Sequence, residues 1–557
     1  MQILVVSSRL TDGRRRALTR LLATEGEPVF LTPGDLEGVE GEAPVAVLLD
    51  GPLATPTVEL CERLQAWVES GMSLVALGTA AGAGPAGSWV EVLRASAQPA
   101  VPPGEVFAGV VDPDERLVAR IDPEFAVPDV FEPVSPADDA MRPLLNVSHR
   151  FCTQGAVLAG ERGRGLVVVC GLGNTDESLA VPALATVLRR ALRGRARTAG
   201  RRSPLGLGVV GYGPYGGMGL VHGTAATATA GLELVAVCDS DADRRKAAEH
   251  DFPGVRVHGS VEELAADLEV EVAVVAVPPV AHGPVVAGLL RAGKHVACEK
   301  PLCFTVAEAD RLFGLAHEHE RVLTVNQSRR WDRDFRTVRR TVQEGLLGEV
   351  FNVETFVGGF EHPCRAWHSE AAVSGGLVYD WGAHHVDWIL QLMGSVPAGV
   401  SAVGHKRVWH DVTNLDQLRV RMRWDDGREA EFVASDVAAV RRPKFYVQGT
   451  AGTLVGHYRP VVFDRLDPAR GYLSETAHHA EAPAALTASR YRGGGGLDEL
   501  ALALEPEVPF AFHRNLADHL HLGEPLAVAP ESVRGVVAVL EAATRSAAEG
   551  GQPVELR

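Results

Sequence analysis

The stretch from Leu205 to about Val325 alternates apolar strands with helical runs, and its first strand ends in the glycine-bearing turn GVVGYGPYGGMG. No other feature constrains the fold as tightly. Gly211, Gly213 and Gly216 stand in a GxGxxG arrangement directly after the strand. In such a turn the first glycine permits a tight reversal and the second leaves the backbone bare for a pyrophosphate. The third lets a helix pack closely on the strand, and the helix N-terminus supplies an anion site. The next strand, LELVAVCDS, ends at Asp239, where a carboxylate can hold the hydroxyls of a ribose. Glycine turns also occur without ligands, and an aspartate here can simply cap a helix. The two together favour a dinucleotide. Asp239 leans toward NAD, while Arg244 and Arg245 leave NADP open. Tyr215, in the same turn, counts among the candidate cofactor contacts.

At 557 residues the chain is long enough for three or four folding units. Residues 1–197 alternate strand-like runs (ILVV, VAVLLD, SLVALG, GLVVVCG) with helical stretches such as TVELCERLQAWVESG. That alternation predicts helices packed on a mostly parallel sheet. The connector RGRARTAGRRSP then reads as a solvated helix end and linker, where cations complement the helix dipole. Residues 205–325 form the dinucleotide-binding domain. From 326 to 557 the pattern changes to alternating strands (VFNVETFVGGF, QLRVRMRW, AEFVASDV, FYVQGT) joined by turns, which predicts a mainly antiparallel sheet. The glycine-bearing stretch from Asp464 to Glu499 reads as an irregular surface insertion, and ESVRGVVAVLEAATRSAAEGG as a closing helix.

The chemistry lies in two further elements. A strand ends at Val277-Pro278-Pro279, a helix containing His282 follows, and a second strand runs into Glu299-Lys300-Pro301. Later, SGGLVYDWGAHHVDWILQLMG carries Asp380, His384 and Asp387 at about one helical turn, so that they share one face. The combination resembles the glucose–fructose oxidoreductase, inositol dehydrogenase and MocA (Gfo/Idh/MocA) family, densely over about Leu205 to Leu392 and more thinly beyond. The resemblance implies a Rossmann domain followed by an α/β domain whose open antiparallel sheet often forms the oligomer interface. It makes Lys300, Asp380 and His384 the catalytic group of an NAD(P)-dependent oxidoreductase acting on a sugar, glycoside or cyclic polyol. In that reading His384 takes the hydroxyl proton, a role suited to a base near neutrality. Lys300 stabilises the developing negative charge on the reacting oxygen. Asp380 anchors a substrate hydroxyl and helps to fix His384. Pro278, His282, Glu299 and Lys300 are placed beside the cofactor, and Arg329, Arg330, Trp367, His368 and Tyr379 are candidate substrate contacts. Two departures stand out. The family's Thr-Pro-Asn is Val277-Pro278-Pro279 here, and the stretch from Gly216 to His222 is a few residues long. Two other functions compete: a glycosidase or lyase in which NAD is transiently reduced and regenerated, and a non-catalytic nucleotide-binding sensor.

The first region resembles the ThuA-like, class I glutamine amidotransferase-like fold, through Gly171 to Ser178 within GLVVVCGLGNTDESLAVPALATVLRRALRG. The expected fold class is therefore α/β, with a flavodoxin-like or amidotransferase-like domain first. An amidotransferase needs a cysteine nucleophile on a strand-to-helix turn paired with histidine. The turn LVALGTAAG offers Thr79 instead, and His149 has no evident thiol partner. The module is therefore expected to lack that activity, and to serve either in sugar binding or isomerisation or as a structural domain.

The net charge of −17 argues against a nucleic-acid partner. No apolar run reaches membrane-spanning length. The seven scattered cysteines form no CxxC pair and suggest neither a disulfide framework nor a metal site. The expected setting is a cytoplasmic homo-oligomer, dimer or tetramer, with a small-molecule substrate.

Overall fold

The computed structural model describes residues 2–23, 25, 28–39, 41–52, 56–81, 88–149, 152–194, 203–213, 217–364, 366–467 and 471–556. The chain divides into two compact units, Met1–Arg202 and Ser203–Arg557.

The first unit is built on nine strands: β1 (Ile3–Ser7), β2 (Pro28–Leu31), β3 (Ala46–Asp50), β4 (Ser73–Leu77), β5 (Gly104–Val110), β6 (Glu124–Asp129), β7 (Arg142–His149), β8 (Cys152–Arg162) and β9 (Gly165–Cys170). Their order is β2-β1-β3-β4-β9-β8-β7-β5-β6. The first five in that order run parallel, as the alternation of apolar runs and helices predicts, and the remainder are antiparallel. β1, β3, β4 and β9 are fully buried because helices cover both faces, which is why they read as continuous apolar runs.

The second unit opens with six parallel strands: β10 (Leu205–Val210), β11 (Leu232–Cys238), β12 (Arg256–His258), β13 (Val272–Val275), β14 (His295–Glu299) and β15 (Leu323–Asn326). Their order, β12-β11-β10-β13-β14-β15, reverses direction at β10. The crevice at the carboxyl ends of β10 and β13 is where open α/β sheets bind ligands. Helix α1 (Met218–Ala228) follows β10 across the glycine turn.

A second sheet carries β16 (Val350–Gly358), β17 (Gly399–His405), β18 (Gln417–Arg423), β19 (Glu429–Ser435), β20 (Phe445–Gly449), β21 (Gly452–His457), β22 (Ala485–Gly493), β23 (Gly496–Leu502) and β24 (Val554–Glu555). The order is β23-β22-β21-β20-β16-β19-β18-β17-β24, antiparallel except for the β16–β19 pair. Helices α2 (Trp381–Met393) and α4 (Pro530–Ala548) cover one face, burying Val386, Ile389, Val539 and Leu540 against Phe432 and Phe445. Helix α3 (Ala511–Leu522) returns to the six-stranded sheet, where Phe512 and Leu516 join its core.

In the expected irregular insertion from Asp464 to Glu499 the described residues are mostly strands. Strands Pro460–Asp467 and Gly471–His478 form a hairpin, and β22 with β23 forms another. Leu486 and Ala488 alternate into the core, while Gly493, Gly494 and Gly495 adopt the positive φ that the tight turn demands. The glycine run marks a turn between two strands, and composition alone hid the alternation on either side.

Candidate active site

Three loops at the carboxyl edge of the six-stranded sheet converge with the start of α2. Gly211 has φ +93°, and a Cβ there would lie 2.7 Å from the Ala276 carbonyl oxygen. Only glycine permits that approach. Gly213 has φ +49° and open space above it: a Cβ would meet nothing closer than the Arg244 Nη1 at 3.8 Å. Asp239 closes the turn from the next strand, its Oδ2 accepting the Tyr212 and Gly213 backbone N–H groups at 2.9 and 3.1 Å. Its Oδ1 accepts the Asp241 N–H at 2.9 Å and keeps a second lone pair for a ribose hydroxyl. A tight first glycine, a bare second glycine and a fixed carboxylate are what a dinucleotide requires, so these residues fit the cofactor.

Tyr215 and Gly216 lie outside the described residues. The glycine that packs helix on strand is Gly219, where a Cβ would sit 2.5 Å from the Tyr212 Cα and carbonyl oxygen. It stands three residues later than the sequence pattern placed it. The clue was His222, which keeps its place relative to Gly219.

His222, fully buried in α1, links the two halves of the second unit. Its Nε2 lies 3.0 Å from Glu299 Oε1, and its Nδ1 lies 3.0 Å from the Nε2 of His513 on α3. Glu299 also accepts from Asn326 Nδ2 at 2.7 Å and from the Lys300 N–H at 3.2 Å. Its carboxylate is thus committed to positioning the loop that carries Lys300, rather than to the cofactor as the sequence suggested. His282 is reassigned for a similar reason. Its two ring nitrogens face the Pro301 and Val277 carbonyl oxygens at 2.7 and 2.8 Å, deep in the protein. It ties the Pro278 loop to the lysine loop and presents nothing to a ligand.

Lys300 emerges at the end of β14 and donates to Asp380 Oδ1 at 2.7 Å and to the Asp380 carbonyl at 3.1 Å. Burial works to raise the Asp380 carboxyl, but the Lys300 ammonium outweighs it and holds the group below the usual carboxylate range. His384, one turn along α2, is buried, and its Nδ1 has no hydrogen-bond partner. Burial, with the Lys300 and Arg329 cations adding to it, pushes this imidazole well below its ordinary pKa. The ring is neutral and can accept a proton, as a base must. It is a weaker base than the near-neutral one expected, and Asp380 grips Lys300 rather than His384.

The candidate substrate contacts divide. Trp367 and His368 stack on each other, with centroids 3.6 Å apart, on the loop preceding α2, and His368 lies within electrostatic reach of Lys300 and Asp380. Arg329 stands over the Trp381 ring at 5.2 Å and pairs with Asp332 and Glu481. Tyr379 does not face the site: it is 4% exposed, and its hydroxyl donates to the Phe304 carbonyl oxygen at 2.5 Å. Arg330 is structural too, pairing through two nitrogens with Asp387 at 2.8 and 2.5 Å. Asp387 therefore belongs to the scaffold, although it shares a helix with His384. Sequence reasoning missed Asn326 and Gln327, whose amides brace Glu299 and the Ala383 carbonyl oxygen.

A family model described as an oxidoreductase family with an NAD-binding Rossmann fold matches residues 205–327. A second, described as a GFO/IDH/MocA C-terminal domain, matches residues 335–455. An oxidoreductase of Schizosaccharomyces pombe is 33% identical over 210 residues, which are 37% of this chain and 57% of the relative. The chain thus spans little more than half of that protein. The Escherichia coli oxidoreductase YdgJ is 30% identical over 257 residues, 45% of this chain and 70% of its own length. The Bacillus subtilis scyllo-inositol 2-dehydrogenase (NADP(+)) IolW is 25% identical over 347 residues, 62% of this chain and 94% of its own. Among solved structures, an NAD-binding protein from Listeria innocua superposes with a TM-score of 0.54 at 27% identity, covering 63% of this chain and 97% of that one.

Proposed function

The chain belongs to the Gfo/Idh/MocA oxidoreductase family, and from that premise we propose that it transfers hydride between NAD(P) and a hydroxyl-bearing carbon of a sugar, glycoside or cyclic polyol. One observation carries this reading: Lys300 and Asp380 meet at 2.7 Å beside the neutral His384, at the carboxyl edge of the sheet that bears the bare Gly213 turn. The dehydrogenase of scyllo-inositol among the relatives supports the polyol class. When bound, the nicotinamide supplies the hydride acceptor.

The chain's own groups do the rest. His384 accepts the substrate hydroxyl proton, and its buried neutral state keeps that nitrogen free to do so. Lys300, held by Asp380, donates a hydrogen bond to the reacting oxygen and offsets its growing negative charge. Trp367, His368 and Arg329 form the substrate rim. Asp239 favours NAD, and Arg244 beside Gly213 allows the extra phosphate of NADP.

We place the N-terminal unit in the ThuA-like class on its sheet order and its Gly171–Ser178 turn, as an accessory module of carbohydrate metabolism without amidotransferase activity. Thr79 takes the elbow position; its side chain and that of His149 fall outside the description. The uncovered face of the nine-stranded sheet in the second unit, lined by Arg419, Arg421 and Glu431 around a concavity of about 690 Å³, suits self-association into a dimer or tetramer. The unpaired scatter of seven cysteines suits the cytoplasm.

The test is a panel of sugars, inositols and glycosides with NAD or NADP, read by NADH absorbance. Steady NADH accumulation with at least one member is expected, and its loss in Lys300→Ala. Accumulation that persists unchanged in that variant would remove the proposed site.

A further inference from the structure

Helix α2 runs antiparallel to β19. At the strand's start Arg428 donates to the Met393 carbonyl oxygen at the helix end, at 2.6 Å, and midway His385 stacks on Phe432 at 4.9 Å. Extending that register sets Asp380, at the helix start, over the strand's far end, where Asp436 follows Ser435. Asp436 is pinned through its backbone: its N–H donates to the Asp416 carbonyl oxygen at 2.8 Å, and its own carbonyl accepts from Trp409 Nε1 at 3.0 Å and from the Glu361 N–H at 3.2 Å. Among the described residues its carboxylate has no hydrogen-bond partner.

Neighbouring acids are all committed. Asp380 holds Lys300 at 2.7 Å, Asp416 holds Lys406 at 3.0 Å and the Val408 N–H at 2.6 Å, and Glu361 pairs with Arg441 at 3.2 Å. Burial, reinforced by Asp416, Asp380 and Glu361 and opposed by Lys406, pushes the Asp436 carboxyl up to about 6.

Two further unmet polar atoms near this edge are acceptors, set against one unmet donor, Arg329 Nε. Asn414 donates its amide to the His368 carbonyl at 2.8 Å, and Gln327 donates to the Ala383 carbonyl at 3.2 Å. Because each NH₂ faces an obligate acceptor, the opposite atom must be oxygen. Both oxygens are buried without a donor. The loops around Asp380 and His384 therefore offer acceptors in surplus, and buried acceptors without donors are costly unless a ligand satisfies them.

We infer that Asp436 is a substrate-anchoring residue that selects a donor-rich ligand, a neutral polyol or an amino-bearing one, over a carboxylate-bearing sugar. The inference rests on the oxidoreductase reading of the site. A hydroxyl or ammonium group donates to the free carboxylate, whereas a substrate carboxylate placed against Asp436 would meet like charge.

The test compares wild type with Asp436→Asn and Asp436→Ala, using NAD and scyllo-inositol, myo-inositol, glucose, glucosamine or glucuronate, read at the NADH absorbance from pH 5 to 9. Wild type should prefer the neutral or amino-bearing members over glucuronate by at least about tenfold in kcat/KM, as expected for a hydrogen bond to a charged group. Its kcat/KM should rise through about pH 6 as the carboxylate ionises. Asp436→Asn should raise KM about tenfold, leave kcat within about threefold and flatten that rise. A purely structural residue would move kcat and thermal stability together and leave the pH profile intact. Turnover by wild type with an indifferent Asp436→Asn, or a preference for glucuronate, overturns this inference alone. Absence of turnover across the panel overturns the oxidoreductase reading and this inference with it.

Discussion

Each unit of the molecule contains a block of parallel strands with glycine turns at its carboxyl edge, and the two edges are used in opposite ways. In the second unit the edge is open: among the described residues a Cβ at Gly213 would meet only Arg244 Nη1, at 3.8 Å, and Lys300, Asp380 and His384 converge below. In the first unit the corresponding edge is filled by the protein itself. Asp50, fully buried at the end of β3, accepts from Ser7, Arg9 and Arg14 at 2.8, 2.8 and 2.6 Å. Arg14 reaches on to the Gly173 carbonyl oxygen at 2.6 Å, and Asn174 fills the space that a side chain at Gly78 would need. Parallel strands followed by glycine turns thus give an edge prepared for a ligand in one unit and an edge locked as a structural joint in the other. The fold fixes where a site can stand; side chains decide whether one does.

Substitutions at the two edges should therefore fail differently. His384→Ala removes the proton acceptor, and kcat should fall about 10²–10⁴-fold with little change in thermal stability, as measured by steady-state kinetics and melting. Asp50→Ala takes from the buried Arg14 and the half-buried Arg9 the carboxylate they share, a change that costs about 3–5 kcal/mol in comparable buried pairs. Chemical denaturation should show that loss while kcat stays within about twofold of wild type. If Asp50→Ala instead abolishes turnover at unchanged stability, the first edge is a functional site and the comparison breaks.

Acid should also separate the units. Only one of the 20 histidines, His149, lies in the first unit. In the second, burial lowers His282, His384 and His385, and brings His295 to about 4 and His513 to about 3. A histidine lowered by folding binds a proton more readily when unfolded. Its contribution is therefore complete above the unfolded pKa of about 6.5 and declines as pH falls below it, by up to about 1.4 kcal/mol per pH unit for each ring. In the first unit, burial raises Glu115, Asp129 and Glu132, whose stabilising protonation grows as pH falls. Hydrogen exchange at pH 7 and pH 5 should show faster opening of residues 203–557 at the lower pH, with residues 1–202 unchanged or slower. The smallest effect should come from Gly213→Ala. It requires an alanine at φ +49°, costing about 1–2 kcal/mol, and places a methyl where the pyrophosphate approaches, so NADH binding should weaken about tenfold by fluorescence titration.

Much of this was legible in the sequence. Period-2 and period-3.6 patterns located the parallel strands of both units and the antiparallel sheet, and the resemblance of the EKP and DWGAH elements to the Gfo/Idh/MocA family pointed to Lys300, Asp380 and His384. What escaped depended on contacts that sequence order does not carry. Gly216 was taken for the packing glycine because the insertion after Gly213 shifts the register to Gly219. Tyr379 and Arg330 have the chemistry of substrate ligands, yet the Phe304 carbonyl and Asp387 consume it. His282 and Glu299 stand beside the site but face inward, to two carbonyls and to His222. Asp436 gave no signal at all, since its importance lies in what fails to pair with it.

The central claim is that Lys300, Asp380 and His384 serve a hydride transfer to a nicotinamide lying over Gly211 and Gly213. Its most direct test uses the substrate found in the polyol panel, carrying deuterium on the carbinol carbon, with the cofactor recovered after turnover and weighed by mass spectrometry. The account predicts NADH that carries one deuterium in place of hydrogen and that accumulates in proportion to product. Product formed without NADH accumulation, or label released to water instead of cofactor, would contradict it.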